Sequence, residues 1–508
     1  MYHENYKVEL IEASEVAFLD SQFALEYSCE LTYGWLSAEG KTEAYNQANR
    51  DTYNESQAKM FLRMNPNVGN QFKQKEDVKE EEDDELKEDE DEPKEEVGQN
   101  RMYQLNRKTL NQALLNHEIM SEIKENSLSE RVKFGPMKVD GKHVTYKESR
   151  TNFFKEINKN RQSKLYQHNC YPGCKKRGCE RVSTFDGLWK IAHPICMWEC
   201  SSAYPKSITD FVPQVCTNEP KHGKAFCSSH SEAAEKLGRP SGLRPFLKSC
   251  GTDGENVKKV DKNKINNVLK DMASRINIKG KTVGEEQGTE MFLRNKEVMN
   301  KEKLTVVESG EEDCRKDVGE NVRLRRFSRG ILAACSGGGH IWSFDSLFKS
   351  EGPLQVSLLM LKYLMKRFPD TNPEEWMKHF VNYDNICNVD RLKLLQGLLP
   401  LPAPFSTIWM DVKKVIDPLH IKNHKNPECH TKYSPEAVKT EIPDANLMVA
   451  EQTFSWLGKF KKVLNSMPKY HQLFMLHRLV QRRNEYTQYC YSIGARPMLP
   501  SVKYNKTN

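Results

Sequence analysis

Three pieces of one stretch decide the fold: HFVNYDNICNVDRLKLL (379–395), VKKVIDPLHIKNHKNPECHTKY (412–433) and DANLMVAEQTFSWLGKFKKVLNSM (444–467). Each sets an acidic or imidazole side chain at the edge of an apolar element. Asp384 ends the short apolar run Phe380, Val381, Tyr383 and precedes a Leu-rich, helix-like segment. Val412, Val415 and Ile416 lead to Asp417, and Pro418 stops the strand before His420 and His424. Glu451 has Leu447 four residues before it and Phe454 three after, so it shares a helix face with apolar neighbours. Burying an unpaired charge is costly, and a lone glutamate there reads as a salt-bridged helix edge. The series of strand-end Asp, Asp-x-x-His and helix Glu reads instead as a site.

Outward from that stretch, the 508 residues predict two to four domains. Hydrophobic residues make up 37% and charged residues 29%, which fits a non-membrane protein with disordered parts. No apolar run approaches the roughly 18 residues of a membrane span, and MYHENYKVELIEASE has no signal pattern, so an intracellular protein is expected. The net charge of +7 hides a split. Residues 76–96 hold 15 acids and 3 lysines, which leaves the remainder strongly basic and suited to a polyanion. The acidic run itself reads as a solvated, disordered loop of about 70–100 within a helical region spanning 1–165. Phe18, Leu25, Leu31 and Trp35, and later Leu105, Leu110, Leu114 and Ile119, recur at near-helical spacing there.

In a reducing compartment the 14 cysteines point to metal, not disulfides. Eight of them fall between Cys170 and Cys250, which marks 166–250 as a zinc module. Its ligand set is Cys170, Cys174, Cys179, Cys196, Cys200, Cys216, Cys227 and His230, enough for two closed tetrahedral sites. Lys175 and Lys176 sit beside those cysteines, as basic residues do in zinc modules that contact nucleic acid. Residues 251–302 are polar and read as a linker with short helices.

From 303 to 495 the elements follow one another as in a single α/β domain, with 496–508 as a tail. Leu304, Val306 and Glu308 alternate with Thr305 and Val307 as in a strand. Gly330–Cys335 and His340–Phe344 flank Ser-Gly-Gly-Gly, whose glycines supply the positive dihedrals of a hairpin turn. No helix with Lys-Ser/Thr follows, so this is not a phosphate loop. Pro353–Phe368 is an apolar-striped helix, followed by strands at 379–385 and 412–417 and a helix from 444. A last amphipathic helix, PKYHQLFMLHRLVQRRNEYTQYCY, buries Leu473, Leu476 and Val480 and turns Arg478, Arg482 and Arg483 outward, placed to grip a DNA backbone.

The order Tyr383-Asp384-Asn385-x-Cys387, then Asp417-x-x-His420-x-x-x-His424 with Cys429 and Tyr433, then Asn446 and Glu451-Gln452, resembles the KDZ (Kyakuja–Dileera–Zisupton) DNA transposases. The resemblance covers the last 200 or so residues and, more loosely, the Cys-rich segment, since such transposases often carry cysteine clusters. It implies an RNase H-like mixed sheet, DNA as partner, chromatin proteins and self-association as further partners, and a nuclear location. It also implies two Mg²⁺ or Mn²⁺ ions held by three carboxylates for strand cleavage and transfer. Matched to the family motif, Asp384 is the second acid and Glu451 the third. Asp417 and His420 take supporting roles, with His420, His424, Cys429 and His430 as an alternative zinc set. The family's first acid is an Asp on the first strand, where this chain offers Glu308, with Asp313 and Asp317 in the next loop. That departure leaves two readings: an active DDE-type transposase, or a domesticated, catalytically inactive DNA- or chromatin-binding zinc protein. A third is a zinc-scaffolded module for protein interaction.

Overall fold

The computed structural model describes residues 10–14, 17–20, 107–126, 137–139, 142–144, 146–199, 216–252, 260–276, 314, 326–348, 351–369 and 372–499, with isolated positions 23, 24, 27, 41, 42 and 44. The acidic run 76–96, Cys200, Asp313, Asp317 and Glu308 with its expected strand lie outside the described residues. Two compact units divide at 150 and 151.

In the first unit, β1 (Leu10–Ser14) pairs with β2 (Ala17–Asp20) and β3 (Met137–Val139) with β4 (Lys142–Val144), both antiparallel. Helix α1 (Arg107–Glu125) buries Leu110, Leu114 and Ile119, as its spacing predicts. Phe18, expected on a helix, lies in β2 instead. Its two-residue link to β1 makes a hairpin, and local pairing overrides the helical spacing of distant apolar residues. Helix α2 (Tyr146–Leu165) crosses the division.

The second unit is built on a five-stranded mixed sheet: β5 (Val182–Leu188), β6 (Gly330–Ser336), β7 (Ile341–Leu347), β8 (Phe380–Asn382) and β9 (Lys413–Val415), in the order β7-β6-β5-β8-β9. The β5–β6 and β6–β7 pairs are antiparallel, and β5–β8 and β8–β9 are parallel. The hairpin, helix α3 (Pro353–Arg367) and the two parallel strands fall where their patterns predict.

The central strand does not. Val182–Leu188 lies inside the stretch that cysteine spacing assigns to a separate zinc module, so the 166–250 boundary is corrected: the cysteines before β5 belong to the sheet's own core. Those after it, Cys196, Cys216 and Cys227, share a second core with Trp198, Phe226 and Phe246. Ile265, Leu269 and Met272 of the helix Lys262–Arg275 close that core, so this part of the expected linker is packed structure.

The Ser-Gly-Gly-Gly turn is glycine-rich for two reasons. Only Gly339 has a positive φ, +96°. A Cβ on Gly337 would stand 2.1 Å from the Arg177 carbonyl oxygen, and one on Gly338 would stand 2.4 Å from Cys174 Sγ. The turn therefore packs its backbone directly onto the 174–179 loop. Gly330 combines both demands, with φ +112° and a Cβ position 2.3 Å from the Leu188 carbonyl oxygen.

Helix α4 (Pro427–Lys432) follows β9, α5 (Val449–Leu457) packs across β5 and β6, and α6 (Lys469–Ser492) closes the fold. On α6 the expectation of outward arginines is corrected: Arg478 is 2% exposed and Arg483 6%. The helix is covered on more than one side. Asn484 exchanges hydrogen bonds with the backbone of Ile341 at 2.8 and 2.9 Å, and Arg483 donates to the Met498 carbonyl from the returning chain. Among the described residues no helix is long and apolar enough to cross a membrane.

Candidate functional site

Carboxylates gather at the C-terminal ends of β5 and β8. The parallel register pairs Thr184 with Asn382, and Asn382 Nδ2 donates to Thr184 Oγ1 at 3.2 Å, so these two side chains share a face. Two residues further on, Asp186 returns to that face of β5, and Asp384 lies in the turn just past β8. Asn382 Nδ2 also donates to the Leu447 carbonyl at 2.8 Å, which ties β8 to the turn that launches α5 and its Glu451. Glu308 lies outside the described residues. Asp186, an acid that the sequence motifs do not single out, lies on a short β-rich run, VSTFDGL, whose cysteine-dense surroundings hide it in the sequence.

A further carboxylate joins that no motif announces. Glu351, just before α3, accepts from Trp189 Nε1 and from Tyr383 Oη, both at 2.8 Å. It lies against β5, where a Cβ on Gly187 would fall 2.1 Å from Glu351 Oε2. Burial raises the Asp186 carboxyl well above its usual range, and the charges of Asp384, Glu451 and Glu351 raise it further. Asp384 is pushed up to about 7 by burial and by Glu351, against the opposing pull of His420. Its Oδ1 is buried with no hydrogen-bond partner. Repulsion among acids and an orphaned carboxylate oxygen both describe a place where a hard cation would be stabilised.

Asp417 and His420 face this centre. Asp417 Oδ1 accepts from the amides of Leu419 (2.8 Å) and His420 (3.0 Å), and Oδ2 accepts from His420 Nδ1 at 2.7 Å. That bond raises His420 to about 9, with the Asp384 and Glu451 charges adding to it. The imidazolium presents Nε2 to Glu451 Oε1 at 3.7 Å. So Asp417 orients and charges His420, and His420 stands as the one cation facing the acids among the described residues just named.

Three Cys/His groups could each hold a zinc ion, their four ligand atoms lying within 4.8 Å of one another. The first is His168, Cys170, Cys174 and Cys179, with His168 Nε2 at 3.4 and 3.1 Å from the sulfurs of Cys174 and Cys179. His168 was absent from the sequence-derived set, although His-x-Cys spacing marks it. The second is Cys196, Cys216, Cys227 and His230, with His230 Nδ1 at 3.3 Å from both Cys196 and Cys227. The third joins the expected His424 and Cys429 to Cys314 and Cys387. His420 and His430 stay out of it: the first is turned to Asp417, and the second bonds through Nε2 to the His424 carbonyl at 2.9 Å.

The residues assigned to DNA have mixed fates. Lys175 and Lys176 are exposed but pair with Glu180 (3.1 Å) and Asp444 (3.0 Å), and Arg482 is half-buried beside the buried Arg478 and Arg483. Comparison with family models, curated proteins and solved structures found no match to this chain.

Proposed function

We propose that this chain is a DDE-type DNA transposase or a protein derived from one, with Asp186, Asp384 and Glu451 as its three acids. The observation that carries the reading is the grouping of Asp186 on β5 and Asp384 just past β8, each two residues beyond the paired Thr184 and Asn382, with Glu451 on the helix that packs over β5. The antiparallel strands β5, β6 and β7, then α3, the parallel strands β8 and β9, and α5 beyond α4, with helices such as Lys262–Arg275 inserted between β5 and β6, support an RNase H-like core, as the resemblance to KDZ transposases implies. So does the position of the acids at strand C-termini, where open α/β sheets form their sites.

Asp186, Asp384 and Glu451 would hold Mg²⁺ or Mn²⁺, hard cations that suit carboxylate oxygens. When bound there, such a pair activates a water or 3′-hydroxyl and stabilises the departing oxygen of a phosphodiester. The remaining work falls to the chain. Tyr383 and Trp189 fix Glu351 beside Asp186, and Asp417 fixes His420 beside Glu451. The positive His420 offsets the like charges and offers a donor to a phosphate oxygen.

The test is Mn²⁺-dependent nicking of duplex oligonucleotides by the purified protein, against Asp186→Asn, Asp384→Asn and Glu451→Gln. Loss in all three supports the reading. Equal nicking by all four proteins overturns it and leaves a zinc protein that binds DNA or chromatin without cutting it.

A further inference from the structure

We propose that Cys314, Cys387, His424 and Cys429 form a closed zinc site whose task is to hold the backbone of Asp384 in place. The positional consequence rests on the reading of Asp384 given above, whereas the zinc site itself does not.

The distances fit a tetrahedral ion. Zinc bonds of about 2.3 Å to sulfur and 2.0–2.1 Å to nitrogen place the ligand atoms about 3.8 Å apart for a sulfur pair and about 3.6 Å for sulfur and nitrogen. Cys314 and Cys429 have their sulfurs 3.7 Å apart, and Cys387 Sγ lies 3.6 Å from His424 Nδ1. The sulfur separation is far beyond a disulfide bond of about 2.05 Å. All three cysteines are buried.

The imidazole supplies an independent observation. His424 Nε2 lies 2.9 Å from the Asp384 carbonyl oxygen. A carbonyl only accepts, so Nε2 carries the proton and Nδ1 is left with the lone pair that faces the sulfurs. This is the tautomer a metal ligand needs, oriented by the kind of carbonyl partner that metal-bound histidines keep on their far nitrogen.

The four ligands come from separated parts of the chain: the segment before β6, the helix turn after β8, the loop after β9, and α4. Strands β8 and β9 are three residues each, too short to fix the loops beyond them. An ion here would join both loops to the core, and the bond from His424 would pass that constraint to Asp384. Four protein ligands leave no open position, so the role is structural.

Metal analysis of the full chain decides the site. One zinc fewer per chain in Cys387→Ser than in wild type is expected, with the count kept in Cys429→His, which retains a ligand. An unchanged count in Cys387→Ser overturns the site. If that variant does not fold, loss of the count in Cys429→His overturns it instead.

His424→Cys separates the ion from its consequence, because it keeps four ligands and removes the bond to Asp384. The expected result is an unchanged zinc count, faster amide exchange at Ile386 and Asn388, and Mn²⁺-dependent nicking reduced about 10- to 100-fold. Unchanged exchange with an unchanged zinc count overturns the positioning role. A wild-type protein that never nicks overturns the assignment of the acids, and the zinc count still stands on its own.

Discussion

Asp186 and Asp384 each lie two residues past the facing pair Thr184 and Asn382, Asp186 still on β5 and Asp384 in the turn that follows β8. Two acids brought together in this way cannot avoid each other by a change of rotamer alone. The repulsion is therefore built into the backbone, and several measurable consequences come from it.

The first concerns pH. Asp384 titrates near 7 in the fold and Asp186 is also raised, so both hold protons there that an unfolded chain releases at about 4. Groups raised in this way stabilise the fold fully below the unfolded value, and the contribution is lost as pH rises through the folded value. Without divalent metal, the melting temperature of the wild type should fall between about pH 5 and pH 8, and that of Asp384→Asn should fall less. At the upper pH the variant should melt higher, by about 2–4 °C for each kcal/mol relieved, and Mg²⁺ should close the gap. Thermal melts with and without Mg²⁺ check this, and equal slopes for the two proteins would contradict it.

His420 has its own signature. Its raised value, about 9, comes first from the Asp417 bond. Asp417→Asn should return the imidazole by at least about one unit toward its ordinary 6.5. As a raised histidine, it stabilises the fold below the unfolded value and loses that contribution as pH rises through about 9. NMR titration of the ring protons measures the change, and an unmoved His420 would show that Asp384 and Glu451, not Asp417, set its charge.

Gly330 tests the packing of the hairpin. Alanine there combines a strained φ with a methyl 2.3 Å from the Leu188 carbonyl. The cost should be about 2–4 kcal/mol in denaturant unfolding, whereas Gly397→Ala, with nothing near its Cβ position, should cost under about 1 kcal/mol. Similar values for both would mean that the β5–β6 contact is looser than described.

Arg483 is set over the rings of Trp456 (5.4 Å) and Tyr486 (5.1 Å) and bonds the Met498 carbonyl. Arg483→Ala should therefore lower stability, by roughly 1–3 kcal/mol, and leave unchanged the salt dependence of the DNA binding proposed above. A shallower salt slope at intact stability would restore it to the phosphate-contacting set.

Much of the sheet was legible because its signals are local. The helix at 353–367, the glycine-turned hairpin and the apolar runs before Asp384 and Asp417 each carry their own periodicity or turn chemistry. The central strand was not, since Val182–Leu188 is seven residues long and flanked by cysteines whose spacing suggests a self-contained module. The alternation at Leu304–Glu308 offers another first strand and another acid, both outside the described residues. Cys314 and Cys387 escaped for a related reason: their partners lie far along the chain, and no spacing rule joins ligands that only tertiary structure assembles. The buried arginines of α6 show the limit of reading one apolar stripe, because the returning tail covers a face that looks polar in the sequence.

Mn²⁺-dependent nicking of a labelled duplex, with Glu308→Gln run beside Asp186→Asn, tests the central assignment most directly. Asp186→Asn should lose at least about 100-fold, more than a residue one shell further from the metal costs, and Glu308→Gln should cut like the wild type. Full activity in Asp186→Asn, or its loss in Glu308→Gln alone, would contradict the account.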